Sequence, residues 1–174
     1  AMLPLPSTVA TNTSRLMAGG RRARSISTTS LSPWREPTAV MAPSGDDFWR
    51  LALPQQAQSF GFPETRVPEP DHDLVDGDVV EIGNCRLDVI HCPGHTPGHV
   101  VLHDARGKQL IAGDVLFRGS IGRTDFPRGD YQTLIDSIRH KLWPLGDDVE
   151  FISGHGPMST FGDERRSNPF VGDA

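Results

Sequence analysis

Cys92-Pro93-Gly94-His95-Thr96-Pro97-Gly98-His99 follows an apolar alternating run, Cys85–His91, and turns a strand end into a stiff loop. Glycine permits backbone shapes that a Cβ forbids, and proline fixes the angle of approach. Two further loops repeat the arrangement directly after apolar runs: Gly113-Asp114, and Ser153-Gly154-His155-Gly156-Pro157. Each holds one polar group at the end of a strand, where binding and catalytic groups are usually presented on a rigid support. Two histidines and a carboxylate are good zinc ligands and also suit iron or manganese. The two oxygens of Asp114 could bridge a pair of metals. Taken singly, His95 and His155 read more readily as surface or hydrogen-bonding residues, and Asp114 as a turn residue.

Working outward, Asp78–Ile82 and Cys85–His91 alternate and predict a hairpin joined at Gly83-Asn84. Val100–His103 and Gln109–Ala112 predict a second hairpin turning at Ala105-Arg106-Gly107. Leu134, Ile135, Ile138 and Leu142 share one face of a helix over 131–142. Asp46–Gln58 predicts another helix, capped by Asp46 or Ser44, with Phe48, Leu51 and Leu53 apolar and Pro54 weakening its second half. Val149–Ile152 predicts a short strand. Strands near 78–83, 85–91, 99–104, 108–113 and 149–153 should form one mostly antiparallel sheet. The 131–142 helix should cover one face of it.

The chain has 174 residues, which is one domain's worth. Its formal charge of −5 argues against a nucleic-acid partner, which needs a basic face. No apolar run approaches the roughly 18 residues of a membrane span. The two cysteines, Cys85 and Cys92, make no disulfide framework and read as buried thiols in a reducing compartment. The expected localisation is cytoplasmic.

Residues 1–39 differ in character. They hold five arginines, one acid (Glu36), no lysine and a dense run, Ser25-Ile26-Ser27-Thr28-Thr29-Ser30. No helical or strand period is sustained there. Three readings stay open: a disordered tail, a transit peptide to an organelle, or an altered stretch in place of domain sequence.

Together the three loops, in this order, resemble the later metal motifs of the metallo-β-lactamase superfamily. Gly122-Arg123-Thr124-Asp125-Phe126-Pro127-Arg128-Gly129-Asp130 and Asn168-Pro169-Phe170 resemble its short glyoxalase II-like branch. The resemblance covers residues 40–174 and implies an α/β fold, the second half of an αββα sandwich. It implies that His95 serves the first metal site, Asp114 bridges, and His155 serves the second. Zinc, two ions per site, is the implied cofactor, with iron or manganese as alternatives. The implied reaction is hydrolysis of a small-molecule thioester by a metal-activated hydroxide. His99 reads as a hydrogen-bonding brace of a ligand loop or as plain packing, and Arg123, Asp125 and Asp130 as braces of the loop after Asp114 or as a solvated ion pair. His95, Asp114 and His155 should therefore converge.

The superfamily's first metal motif, His-x-His-x-Asp-His, has no counterpart here, since the first histidine is His72. One explanation is a shifted reading frame: codons can be chosen for Ser25–Ser30 that read His-Leu-Asp-His-Val two bases later. The helical region that full hydroxyacylglutathione hydrolases add at the C-terminus is also expected to be absent. Two other functions compete with the hydrolase. One is a non-catalytic half-domain that pairs with another chain through an open sheet edge. The other is a single-iron, sulfur-handling oxygenase on the same fold.

Overall fold

The computed structural model describes residues 25–28, 39–63 and 67–173. Ser25–Thr28 forms β1, and Met41–Ala42 forms β2. A 3₁₀ turn, Ser44–Asp46, leads into helix α1, Asp47–Ser59. β3 is His72–Asp73, and it pairs with β2. Two hairpins come next: β4, Val79–Ile82, with β5, Cys85–His91, then β6, Val100–Asp104, with β7, Gln109–Gly113. A small hairpin of β8, Leu116–Phe117, and β9, Ser120–Ile121, precedes α2, Tyr131–Ser137. β10, Glu150–Ser153, β11, Ser159–Thr160, and α3, Phe161–Ser167, complete the described elements.

The main sheet runs β1-β4-β5-β6-β7-β10-β11. It is antiparallel except where β1 meets β4 and β7 meets β10. The hairpin turns obey their residues. Gly83 takes φ +61, as a tight turn with Gly leading requires. In the second turn the Asp104 carboxylate accepts from the backbone N–H of Arg106 and Gly107, each at 3.0 Å.

Alternation divides the sheet into two faces. Val101, Leu110, Ala112 and Phe151 point to the side covered by Leu134, Ile138, Leu142 and Phe161, all fully buried. On the other side Val80, Leu87 and Val89 pack with Met41 and Leu74. The 131–142 helix is present with the expected face inward. It is α-helical only to Ser137, then continues as a π-helical turn, Ile138–Leu142.

The parallel pairing of β7 with β10 does most to set where the loops meet. Parallel neighbours end together, so Ser153 lies opposite Gly113, and the Gly154 N–H donates to the Gly113 carbonyl at 2.7 Å. The loop from β5 to β6 opens at the same end of the sheet, because β6 starts where its antiparallel neighbour β7 stops. Topology alone gathers the three Gly-rich loops.

Three expectations need correction. The segment 1–39 was not expected to sustain a strand, yet Ser25–Thr28 pairs with Val79–Ile82. An edge strand needs only its backbone groups on one side and no apolar period. The rest of that segment lies outside the described residues.

The first helix does not bury an apolar stripe. Leu51 and Leu53 are exposed and only Ala57 is buried. Asp46 is the residue before the helix but caps nothing with its side chain. Its carboxylate is taken by the β5–β6 loop, accepting from Thr96 Oγ1 at 2.7 Å and Gly98 N at 2.8 Å. That anchor, with Phe48 under Arg128 and Trp49 edge-on to Phe126, holds the helix by its first turn.

Cys85 is exposed whereas Cys92 is buried. Cys85 opens β5 beside the solvent-facing Gly83-Asn84 turn. Cys92 sits in the core, and burial pushes its thiol up to about 12, where almost no thiolate forms at neutral pH. A thiol reagent at pH 8 should therefore modify Cys85 alone in the folded chain and both cysteines in denaturant. Rapid loss of both thiols in the native state would show that the Cys92 pocket opens.

Candidate metal centre

The three loops bring their side chains together. His95 Nε2 lies 3.8 Å from Asp114 Oδ2, and His155 Nε2 lies 3.8 Å from Asp114 Oδ1. Each histidine thus faces a different oxygen of one carboxylate. Two bonds of about 2.1 Å meeting at a tetrahedral angle put their donor atoms about 3.4 Å apart. Each gap is therefore of the right order for an ion between nitrogen and oxygen. Among the described residues, however, no three His, Cys, Asp or Glu side chains form a group that could hold a metal ion by themselves. Asp114 thus has one histidine facing each of its carboxylate oxygens.

Asp114 is placed by what surrounds it. A Cβ on Gly122 would stand 2.0 Å from the Asp114 carbonyl oxygen, and one on Gly154 would stand 2.4 Å from Asp114 Oδ1. A Cβ on Gly113 would meet the His99 ring at 2.8 Å, and Gly113 also has φ +53. Glycine is thus demanded on three sides of the carboxylate residue.

His99 holds the Asp114 backbone from below. Its Nε2 accepts from the Asp114 N–H at 3.1 Å, so the ring proton resides on Nδ1, a buried atom with no partner among the described residues. Burial first, and then the nearby His95, lower the pKa of His99, while Asp46 and Asp114 oppose them. A ring kept neutral is what an acceptor at Nε2 requires.

His95 is only 12% exposed on its side chain. Its Nδ1–H donates to the Arg123 carbonyl at 2.8 Å, which leaves the Nε2 lone pair aimed at Asp114. Metal-ligating histidines are commonly oriented in this way. The Phe126 ring meets His95 edge-on at 5.5 Å. His155 is freer, 76% exposed, and among the described residues its ring contact is Phe117, stacked at 4.5 Å.

The side chains of Arg123 and Asp125 follow the solvated-ion-pair reading. Arg123 reaches His95 through its carbonyl. Its guanidinium instead makes a two-pronged pair with Asp125 at 2.7 and 2.6 Å, open to solvent. Asp125 therefore holds Arg123 rather than a ligand loop. Asp130 caps α2 through the Thr133 N–H, and its own N–H donates to the Gly94 carbonyl. Phe117, Phe126, Arg118 and the anchoring role of Asp46 were not read from the sequence. The Phe-Pro and Gly-Asp punctuation around 126–130 was the available signal for Phe126.

The family model described as the metallo-β-lactamase superfamily matches residues 26–155. The chain belongs to this superfamily. Over 127 residues it is 50% identical to a Haemophilus influenzae protein named hydroxyacylglutathione hydrolase GloC, covering 72% of this chain and 60% of that one. Among solved structures it resembles BLEG-1 B3 metallo-β-lactamase, with TM-score 0.68 and 38% identity over 76% of this chain and 65% of that one. It also resembles TTHA1623 in a di-iron-bound form, with TM-score 0.67 and 35% identity over the same shares. The chain thus spans under two thirds of the length of these relatives. The matched region takes in His95, Asp114 and His155. No helix among the described residues is long and apolar enough to cross a membrane.

Replacing His99 tests the brace. His99→Phe leaves the Asp114 N–H without its acceptor and should destabilise the chain by about 1–3 kcal/mol. His99→Gln can keep an acceptor and should lose less. Because the folded pKa of His99 is lowered from 6.5, the unfolded chain takes up the proton first. Stability from this group is full above about pH 6.5 and falls as the pH drops below it. Urea melts at pH 7.5 and 5.5 should show that fall diminished in His99→Gln; an unchanged pH difference would mean that His99 is not the group responsible.

Proposed function

We propose that this chain is the part of a metal-dependent thioester hydrolase that supplies the shared carboxylate and one histidine to each of two metal ions. The observation that carries the proposal is the two-sided environment of Asp114, with His95 at one oxygen and His155 at the other. The thioester class rests on the 50% identity to a protein named hydroxyacylglutathione hydrolase. Zinc fits the nitrogen and oxygen donors, and iron fits them equally, as in the di-iron neighbour.

When bound, the ions would supply Lewis acidity and make a water acidic enough to lose its proton near neutrality. The protein residues do the rest. A cavity of about 570 Å³ opens beside Asp114, with Phe117 and Phe126 as apolar walls. Those rings shield a bound acyl group from bulk water and fix the two imidazoles by contact. The Arg123 carbonyl keeps the His95 proton on Nδ1. His99 keeps the Asp114 backbone from turning.

The set is incomplete for catalysis. Catalytic zinc usually takes three protein ligands and one open position. Here each half-site has one histidine and one carboxylate oxygen, and the sequence has no His-x-His-x-Asp-His segment. The chain by itself should hydrolyse a glutathione thioester near the background rate with zinc, iron or manganese added. Fusing a His-x-His-x-Asp-His segment upstream should raise the rate by orders of magnitude, and Asp114→Asn in that fusion should remove the gain. Turnover by the unaltered chain comparable to that of the Haemophilus relative would contradict the ligand set proposed.

A further inference from the structure

The turn between β8 and β9 is held by groups buried far more deeply than a surface hairpin needs. Glu164, on α3, is 2% exposed. Its Oε2 accepts from the Gly119 N–H at 2.7 Å and from Asn168 Nδ2 at 2.8 Å, while Oε1 accepts from Ser159 Oγ. Asn168 Nδ2 also donates to the Ser120 carbonyl at 3.0 Å. A buried carboxylate and a buried amide are thus spent on fixing four residues, Phe117 to Ser120.

Phe117 and Arg118 of that turn line the cavity, and Phe117 stacks on His155. The two arginines of the cavity wall differ in what remains open on them. Arg123 has its Nε and one terminal nitrogen engaged by Asp125, and it lies over the Phe126 ring. Arg118 makes no hydrogen bond or ion pair to any described residue. Its charge acts on Asp163 of α3, whose carboxylate is already held by Thr160 and Arg166. A guanidinium with no hydrogen-bond or ion-pair partner among the described residues, on a rigid turn, keeps its planar donor fork for an incoming group.

We infer that Arg118 is the residue that recognises an oxyanion, carboxylate or phosphate, on the thiol carrier of the substrate, and that Glu164 and Asn168 position it. The inference rests on the proposed thioester hydrolysis and names the substrate class: an anionic carrier thiol rather than a neutral one. The chain's net charge of −5 works against general attraction of anions, so any preference for one must come from a local group.

Unreactive thioethers test this without turnover. Amide resonances of residues 117–120 in the folded chain are monitored by NMR during titration with S-hexylglutathione, its neutralised diamide, and S-hexyl phosphopantetheine. One anionic ligand should bind roughly tenfold more tightly than the diamide, and Arg118→Gln should erase most of that difference. The preferred anion tells carboxylate from phosphate. Arg106→Gln, the same charge change on a turn outside the cavity, should leave the preference intact. Glu164→Gln, which loosens the turn, should weaken that preference. Equal binding of charged and neutral ligands, no saturable binding, or a preference that survives Arg118→Gln would each overturn the assignment. Hydrolysis by the fused chain, measured separately, tests the thioester reading: loss of that activity with the Arg118-dependent preference intact would count against the reading alone.

Discussion

Steric exclusion around Asp114 is the constraint on which the site depends. Three glycines lie so close to this residue or to the ring that braces it that none can carry a Cβ: Gly113 beside His99, Gly122 over the Asp114 carbonyl, and Gly154 against Oδ1. A single methyl at 122 or 154 would fall well inside contact distance and push the carboxylate from its place between the two imidazoles. Such close approach is possible because parallel β7 and β10 end in register, which sets Gly154 against Gly113 through a backbone hydrogen bond. Sheet topology supplies the convergence, and glycine supplies the room.

The two halves of the centre are held with unequal firmness. The loop bearing His95 is gripped from both sides. Asp46 reaches it from the turn before α1. On the other side, α2 lies so close that a Cβ on Gly94 would stand 2.4 Å from the Leu134 backbone. Ser137 Oγ donates to the Pro93 carbonyl at 2.9 Å, and Lys141 Nζ to that of His91 at 2.5 Å. His155 is 76% exposed, with the Phe117 ring stacked on it and Asp114 Oδ1 at 3.8 Å. On the proposed reading, His95 is preorganised for an ion, whereas His155 would lose more side-chain freedom on binding one. The first half-site should load more readily than the second, and the β8–β9 turn controls the second through Phe117.

Much of this was legible in the sequence because it rests on local rules. Strand alternation marked both hairpins, and Gly-His or Gly-Asp after a strand marked each donor. The 134–142 apolar face marked its helix, although nothing in Ile138–Leu142 announces the π-helical turn. What stayed hidden is non-local. Asp46 looks like a helix cap by position, and only the folded loop shows Thr96 and Gly98 competing for its oxygens. Leu51 and Leu53 look like a core stripe, but α1 is fastened through its first turn and leaves them exposed. Arg123 and Asp125 look like charged braces, while the bond that orients His95 comes from a backbone carbonyl that no residue pattern encodes. β1 was missed because edge pairing uses main-chain groups and leaves no apolar signature. Arg118 was invisible for a similar reason, since a lone arginine acquires meaning only once Glu164 and Asn168 are seen to fix its turn.

Imidazole ¹⁵N spectra of the folded chain during zinc titration test the shared-carboxylate arrangement most directly. In the metal-free chain, His95 should show the Nδ1–H tautomer with a bare Nε2. Saturating zinc should then shift Nε2 of both His95 and His155, and Asp114→Asn should weaken both responses together. A His95 protonated at Nε2, or zinc shifts at the two histidines that are indifferent to Asp114→Asn, would contradict it.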